Sequence, residues 1–156
     1  QEMHHASCLA GLAFSNAGLG LNHGMAHTLG AHFHIPHGRA NGILLPYVMA
    51  FNAGCHEQLT PVAARYARIA RVLRLDGPSI RQSAFSVVRT TKQYMKQLHI
   101  PDSIEAAGVS REDFDAVLDE MVEAAYQDAC TKTNPRACSK EDIRGVFLRA
   151  YTGRLI

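Results

Sequence analysis

Five of the nine histidines fall in the segment Asn22-His-Gly-Met-Ala-His-Thr-Leu-Gly-Ala-His-Phe-His-Ile-Pro-His-Gly38, and seven lie within the first 37 residues. His23 and His27 stand at i and i+4, a spacing that aims two imidazoles from one face of a helix at one point. Pro36 turns the chain so that His37 comes back toward that point. Two or three neutral imidazoles suit Zn²⁺, Fe²⁺, Co²⁺ or Ni²⁺, whereas Ca²⁺ and Mg²⁺ want oxygen ligands. A single histidine on an apolar helix face is ordinarily a hydrogen-bonded core residue. Three brought together by spacing favour metal or catalytic use. His32 and His34 are expected on a surface turn, and His4, His5, His56 and His99 have no partner pattern.

Other chemistries fail on particular residues. Gly24 occupies the position where a zinc-protease HExxH helix carries its glutamate base. Gly18, Gly20 and Gly24 miss the GxGxxG spacing by one and follow no strand, and neither a P-loop nor a GxSxG elbow occurs. Cys8, Cys55, Cys130 and Cys138 are widely spaced, contain no CxxC pair and are expected as reduced, small core residues of a cytoplasmic protein.

The elements that must position these histidines are all helical. Glu2 to Leu21, rich in small and apolar residues, is expected as a buried helix loosened near Gly18 and Gly20. Asn22 to His32 carries the first two histidines, and Gly38 to Asn52 forms the next helix after the Pro36 break. Thr60-Pro61 has the form of an N-cap followed by proline at the first helical position, opening a helix to about Leu75. Further helices are expected from Ser79 to Leu98, from Ser110 to about Cys130, and from Ser139 to near Gly153. No stretch shows sustained β alternation, so the fold class is an all-α helical bundle, a single domain over residues 1–156.

The totals agree. With 156 residues, 47% apolar and 19% charged, the chain has enough carbon for a real core, and a net charge of +2 gives no reason to expect a nucleic-acid partner. The apolar run Gly42 to Phe51 is about half a membrane-spanning length and contains Pro46, so no membrane partner is expected. Arg65, Arg68, Arg71 and Arg74 lie on one helix, and nine of the fourteen acids lie between Asp102 and Asp128, so these two helices are expected to attract each other.

The run Gly11-Leu-Ala-Phe-Ser-Asn-Ala-Gly-Leu-Gly-Leu-Asn-His-Gly-Met-Ala-His27, followed by Leu29-Gly30, Pro36-His-Gly38, Ala40-Asn41 and Leu44-Leu-Pro46, resembles the signature of the iron-containing (group III) alcohol dehydrogenases. The resemblance continues through Phe51-Asn52 and Thr133-Asn-Pro-Arg136 and is closest to the butanol, lactaldehyde and propanediol dehydrogenase branch. It implies the helical metal-binding domain of an enzyme whose N-terminal nucleotide-binding domain, absent from this sequence, holds NAD or NADP, with a small alcohol or aldehyde in the cleft between. His23 and His37 match the two metal ligands this domain supplies, for Fe²⁺ or Zn²⁺. His27 matches a histidine that is not a primary ligand and lies close to the nicotinamide, and Phe14 matches a residue lining the substrate pocket; from the imidazole's ordinary pKa range, His27 is the candidate catalytic residue for relaying the proton. The remaining ligands, from a DxxxH helix, and the GGGS loop for the pyrophosphate belong to the family's upstream half.

Gln1 in place of an initiator Met fits a piece of a longer product. The isolated piece is expected to be inactive, with apolar surface near Phe14, His23, His27 and Phe33 that drives homo-oligomerisation. The alternative is a non-catalytic helical binding or assembly module with residual metal affinity.

Overall fold

The computed structural model describes residues 1–155 and contains, among them, helices and turns but no strand. In chain order the helices are α1 (Glu2–Ala17), α2 (Gly20–Phe33), α3 (His37–Ala53), α4 (Val62–Val72), α5 (Ile80–Gln97), α6 (Arg111–Gln127) and α7 (Lys140–Thr152). Two 3₁₀ turns, Glu105–Ala107 and Thr131–Thr133, sit in the connections.

The starts of the last three helices follow their capping chemistry. Ser79, Ser110 and Ser139 each accept a hydrogen bond from the backbone N–H three residues on. At α7 Asp142 returns the contact to the Ser139 N–H, completing a capping box, and Gly153 ends the helix in the left-handed region at φ 76°. Pro61 precedes α4 as its N-cap instead of occupying its first turn, while Thr60 Oγ1 accepts the Val62 N–H and donates to the Asn52 carbonyl. The Thr60 hydroxyl thereby ties the start of α4 to the end of α3.

Helix α3 is the centre of the molecule, packed against α2, α4, α5 and α7. Its inward residues Ile43, Leu44 and Tyr47 join Leu21, Met25 and Leu29 of α2, Phe114 and Met121 of α6, and Ile143 and Phe147 of α7 in one core. A smaller cluster of Met49, Ala70, Val87 and Val88 fastens α4 and α5 to the other side of α3. Burial of this area is the main force holding α2 and α3 in register. The Tyr47 hydroxyl donates to the Asp102 carbonyl at 2.5 Å and accepts from Lys92 Nζ at 3.1 Å, joining α3, α5 and the loop before α6. Burial pushes the Tyr47 phenol well above its ordinary range, with Asp102 adding to the effect.

Three expectations are corrected. Helix α1 forms, but none of its residues is buried, and Met3, Leu9 and Leu12 are more than half exposed. An apolar sequence asks for a covering surface without saying where it is, and none of the described residues supplies one. The arginine-bearing α4 packs on α5 and α3 and not on the acidic α6, whose carboxylates Asp115, Glu123 and Asp119 pair with Arg111, Lys140 and Arg144. Apolar packing, and not charge, selects the neighbours, because solvated ion pairs contribute little. The cysteines are all free thiols, yet Cys8 is exposed and the other three are only half-buried.

No helix among the described residues is long and apolar enough to cross a membrane.

Candidate metal centre

The α2–α3 connection carries the histidine arrangement. Helix α2 ends at His34, which takes the left-handed conformation at φ 53° and donates its N–H to the Gly30 carbonyl. Ile35 then plugs into the core, and Pro36 opens α3 with its carbonyl receiving the Arg39 and Ala40 N–H groups. His37 is therefore the first residue of α3, one position earlier than the helix predicted from the sequence. The turn folds it back over α2. The ring centroids are 5.2 Å apart for His23 and His37, 6.3 Å for His23 and His27, and 5.4 Å for His27 and His37, the last pair stacked at 18°.

A pair of asparagines holds the two helices at this spacing. Asn22 Nδ2 donates to Asn41 Oδ1 at 2.8 Å and to the Asn41 carbonyl at 3.2 Å. Asn41 Nδ2 in turn donates to the His37 carbonyl and lies 3.2 Å from His37 Nε2. The bridge thus runs from the neighbour of His23 to His37 itself, as supporting polar contacts do around metal ligands. Phe14, at the end of α1, places its ring centroid 6.5 Å from that of His23 and is 44% exposed. The four residues picked out from the sequence, Phe14, His23, His27 and His37, are thus brought to one open face. Phe33 packs against the main core instead, and His32 and His34 stand apart from the cluster.

Two further residues join this face from the far end of the sequence. Asp128 Oδ2 lies 2.8 Å from His27 Nδ1, and the donor atoms of His27, Asp128 and Cys130 all fall within 4.8 Å of one another. A carboxylate only accepts, so His27 carries its proton on Nδ1 and leaves Nε2 as the basic nitrogen. The sequence predicts Asp128 and Cys130 at the end of a helix, with Cys130 in the core. Instead α6 stops at Gln127, Asp128 turns to extended angles, and its Oδ1 accepts the Cys130 N–H at 2.7 Å.

Glycines allow this segment to reach the histidine helix. A Cβ on Gly24 would stand 2.2 Å from Thr131 Oγ1, and one on Gly18 would stand 2.3 Å from Thr133 Oγ1. The Gly20 and Leu21 N–H groups donate to Thr133 Oγ1 and Asn134 Oδ1, which dock the start of α2 onto the turn. Gly24, which excluded a protease helix, has its place through this close approach. Asn134 also pairs with Asn52 of α3, and Arg136 donates to the Phe51 carbonyl while its guanidinium lies over the Phe51 ring at 4.0 Å.

The electrostatics favour neutral imidazole at His23. Burial lowers its pKa below the ordinary value, and the nearby His37 and His27 lower it further. At Asp128 burial opposes the charge, but the hydrogen bonds from His27 and Cys130 outweigh it and hold the carboxyl below the usual range. Burial and the adjacent Asp128 push the Cys130 thiol up. His23 and His37 therefore offer two imidazole donors on facing helices, with the neutral form favoured at His23, which fits a transition ion with further ligands beside them.

Comparison with known proteins identifies the family of the chain. The profile of the Fe-containing alcohol dehydrogenase family, C-terminal, matches residues 1–151. The chain is 41% identical to an NADPH-dependent butanol dehydrogenase of Clostridium saccharobutylicum over 98% of its own length and 38% of that protein's. It is 39% identical to a lactaldehyde reductase of Escherichia coli, covering 97% of this chain and 37% of the relative. An iron-containing alcohol dehydrogenase structure from Thermococcus thioreducens superposes with a TM-score of 0.82 at 36% identity, covering 97% of this chain and 36% of that one. The chain thus spans less than two-fifths of the relatives it matches, and it belongs to the Fe-containing alcohol dehydrogenase family as a match to that family's C-terminal part.

Proposed function

We propose that this chain is the C-terminal metal-binding domain of an NAD(P)-dependent alcohol dehydrogenase that interconverts a small primary alcohol and its aldehyde in the cytoplasm. The observation that carries the proposal is the convergence of His23, His27 and His37 on one face, with centroid separations of 5.2 to 6.3 Å, in a chain of this family. His23 and His37 are the residues that would hold Fe²⁺ or, alternatively, Zn²⁺, with further ligands from an upstream segment. When bound, the metal supplies Lewis-acid polarisation of the substrate oxygen, and the nicotinamide, held mainly by an upstream nucleotide-binding domain, supplies the hydride acceptor.

The chain's own residues do the rest. The Asn22–Asn41 bridge fixes the distance between the two ligand helices. The Phe14 ring beside His23 gives the substrate an apolar wall that excludes water from the reacting carbon. Asp128 keeps the His27 proton on Nδ1, so that Nε2 is free to take a proton as the alcohol is oxidised and return it in the reverse direction. His27 is the catalytic residue by this reading, close to the nicotinamide, and Asp128 is its positioning residue. Helix α1, with Met3, Leu9, Leu12 and Phe14 open to solvent, provides apolar surface for the upstream domain and for a second copy of the enzyme.

The test is expression of this chain alone and joined to its natural upstream sequence, each loaded anaerobically with Fe²⁺ and assayed for NAD(P)H formation from primary alcohols. Activity is expected only in the joined protein. There His23→Ala and His37→Ala should lose metal and activity together, whereas His27→Ala should lower turnover with metal retained. Loss from His27→Ala of the same ion that His23→Ala and His37→Ala lose would make it a ligand of that ion, and chelator-sensitive activity of the chain alone would overturn the division of labour. A joined protein with no activity on any alcohol would point to an assembly module instead.

A further inference from the structure

Asp128 and Cys130 bring a carboxylate and a thiol to the Nδ1 edge of His27, on the opposite side of the sequence from the His23–His37 pair. From this juxtaposition we infer that His27, Asp128 and Cys130 form a second site, for a borderline-soft divalent ion of the Zn²⁺ type, separate from the one that His23 and His37 serve. The three donor atoms lie within 4.8 Å of one another. Tetrahedral coordination with bonds of about 2.0–2.3 Å places donors roughly 3.3–3.7 Å apart, so small side-chain rotations close the set.

The arrangement is built into the fold. Asp128 Oδ1 receives the Cys130 N–H at 2.7 Å, which fixes thiol and carboxylate relative to each other. Thr131 anchors the turn by donating to the Ala125 carbonyl at 2.7 Å, and the turn abuts α2 at Gly24. Both Asp128 and Cys130 are half-buried, while His27 is exposed on its outer side and admits an ion and a solvent ligand in the fourth position. Nitrogen, oxygen and sulfur donors together select Zn²⁺ or Co²⁺ over Mg²⁺ and Ca²⁺. An ion here occupies the His27 nitrogen that otherwise donates to Asp128. If His27 relays the proton in the joined enzyme, excess Zn²⁺ therefore inhibits it. That consequence rests on the proposed function, whereas the site itself does not.

Co²⁺ titration of this chain tests the site, followed by the near-ultraviolet charge-transfer absorbance that only a thiolate ligand gives. The wild type and a His23→Ala/His37→Ala double variant should both develop the band at one Co²⁺ per chain. Cys130→Ser and Cys130→Ala should abolish it with helicity by circular dichroism unchanged, and Asp128→Asn, which keeps the turn's acceptor, should weaken binding by about tenfold or more. A band that survives loss of Cys130 comes from another cysteine and overturns the proposal. So does a band absent from the double histidine variant, or absent altogether. Should both Cys130 variants unfold, the Asp128→Asn affinity decides the matter alone, with unchanged binding as the refuting result.

Discussion

Gly24→Ala isolates the contact that brings the two ends of the sequence together. The new Cβ would lie 2.2 Å from Thr131 Oγ1 and 3.3 Å from the Ala125 carbonyl and the Asp128 Cβ. Helix propensity alone favours alanine here by about 1 kcal/mol. Against that, either Thr131 rotates and gives up its buried bond to the Ala125 carbonyl, at about 1 kcal/mol, or α2 moves away from the turn, with an overpacking cost of about 1–3 kcal/mol. The net expectation lies between no change and a loss of about 2 kcal/mol, or up to roughly 8 °C in Tm for a domain of this size. Urea and thermal unfolding followed at 222 nm measure it. Thr131→Ala removes the obstructing hydroxyl at a cost of its own, so Gly24→Ala should be neutral or stabilising in the Thr131→Ala background. A Gly24→Ala protein that melts higher than the wild type would refute the reasoning, as would costs of the two substitutions that simply add.

Acid sensitivity of the metal-free chain follows from His23. Its folded pKa is lowered, so below about pH 6.5 the unfolded chain binds a proton that the folded one refuses, and stability is complete above that pH and declines beneath it. His56, lowered chiefly by burial, adds to the decline, so the urea midpoint should fall between pH 7 and 5.5 and His23→Gln should flatten part of the slope; an unchanged slope would contradict the assignment. Ser139→Ala should cost about 1 kcal/mol by removing the capping box of α7, and a melt indistinguishable from wild type would show that the cap is redundant.

What the sequence makes legible here is local. The i, i+4 spacing of His23 and His27 and the Pro36 break act within a few residues of the side chains they place, and the structure assembles that trio on one face. Ser79, Ser110 and Ser139 mark helix starts because a cap is a contact over three residues. The roles of Asp128 and Cys130 are not legible in the sequence, because they depend on His27, 101 positions from Asp128, and on an α6 terminus that no glycine or proline announces. One signal was present: the Thr133-Asn-Pro-Arg136 stretch just downstream belonged to the family pattern, and it is the dock for Gly20 and Leu21. Helix α1 failed in the other direction. Its composition demanded burial, and burial is a property of pairs of surfaces, of which only one is in the described residues.

The open face and the exposed helix have a common physical basis under the proposed function. Two imidazole donors alone form a weak site, since affinity grows with ligand number and with the rigidity of what holds the ligands. Ligands placed on the same polypeptide as His23 and His37 act at a high effective concentration, so the second half of the coordination sphere adds affinity out of proportion to its donor count. Linkage makes this reciprocal: whatever free energy the docked upstream domain adds to metal binding, the metal adds to docking. Apolar residues of α1 and the histidine face then belong to a single cooperative interface, in which neither the cover for Leu9 and Leu12 nor the remaining ligands for the metal need be strong alone. The Asn22–Asn41 bridge and the Gly24 contact keep this chain's share of that interface in place before its partner arrives.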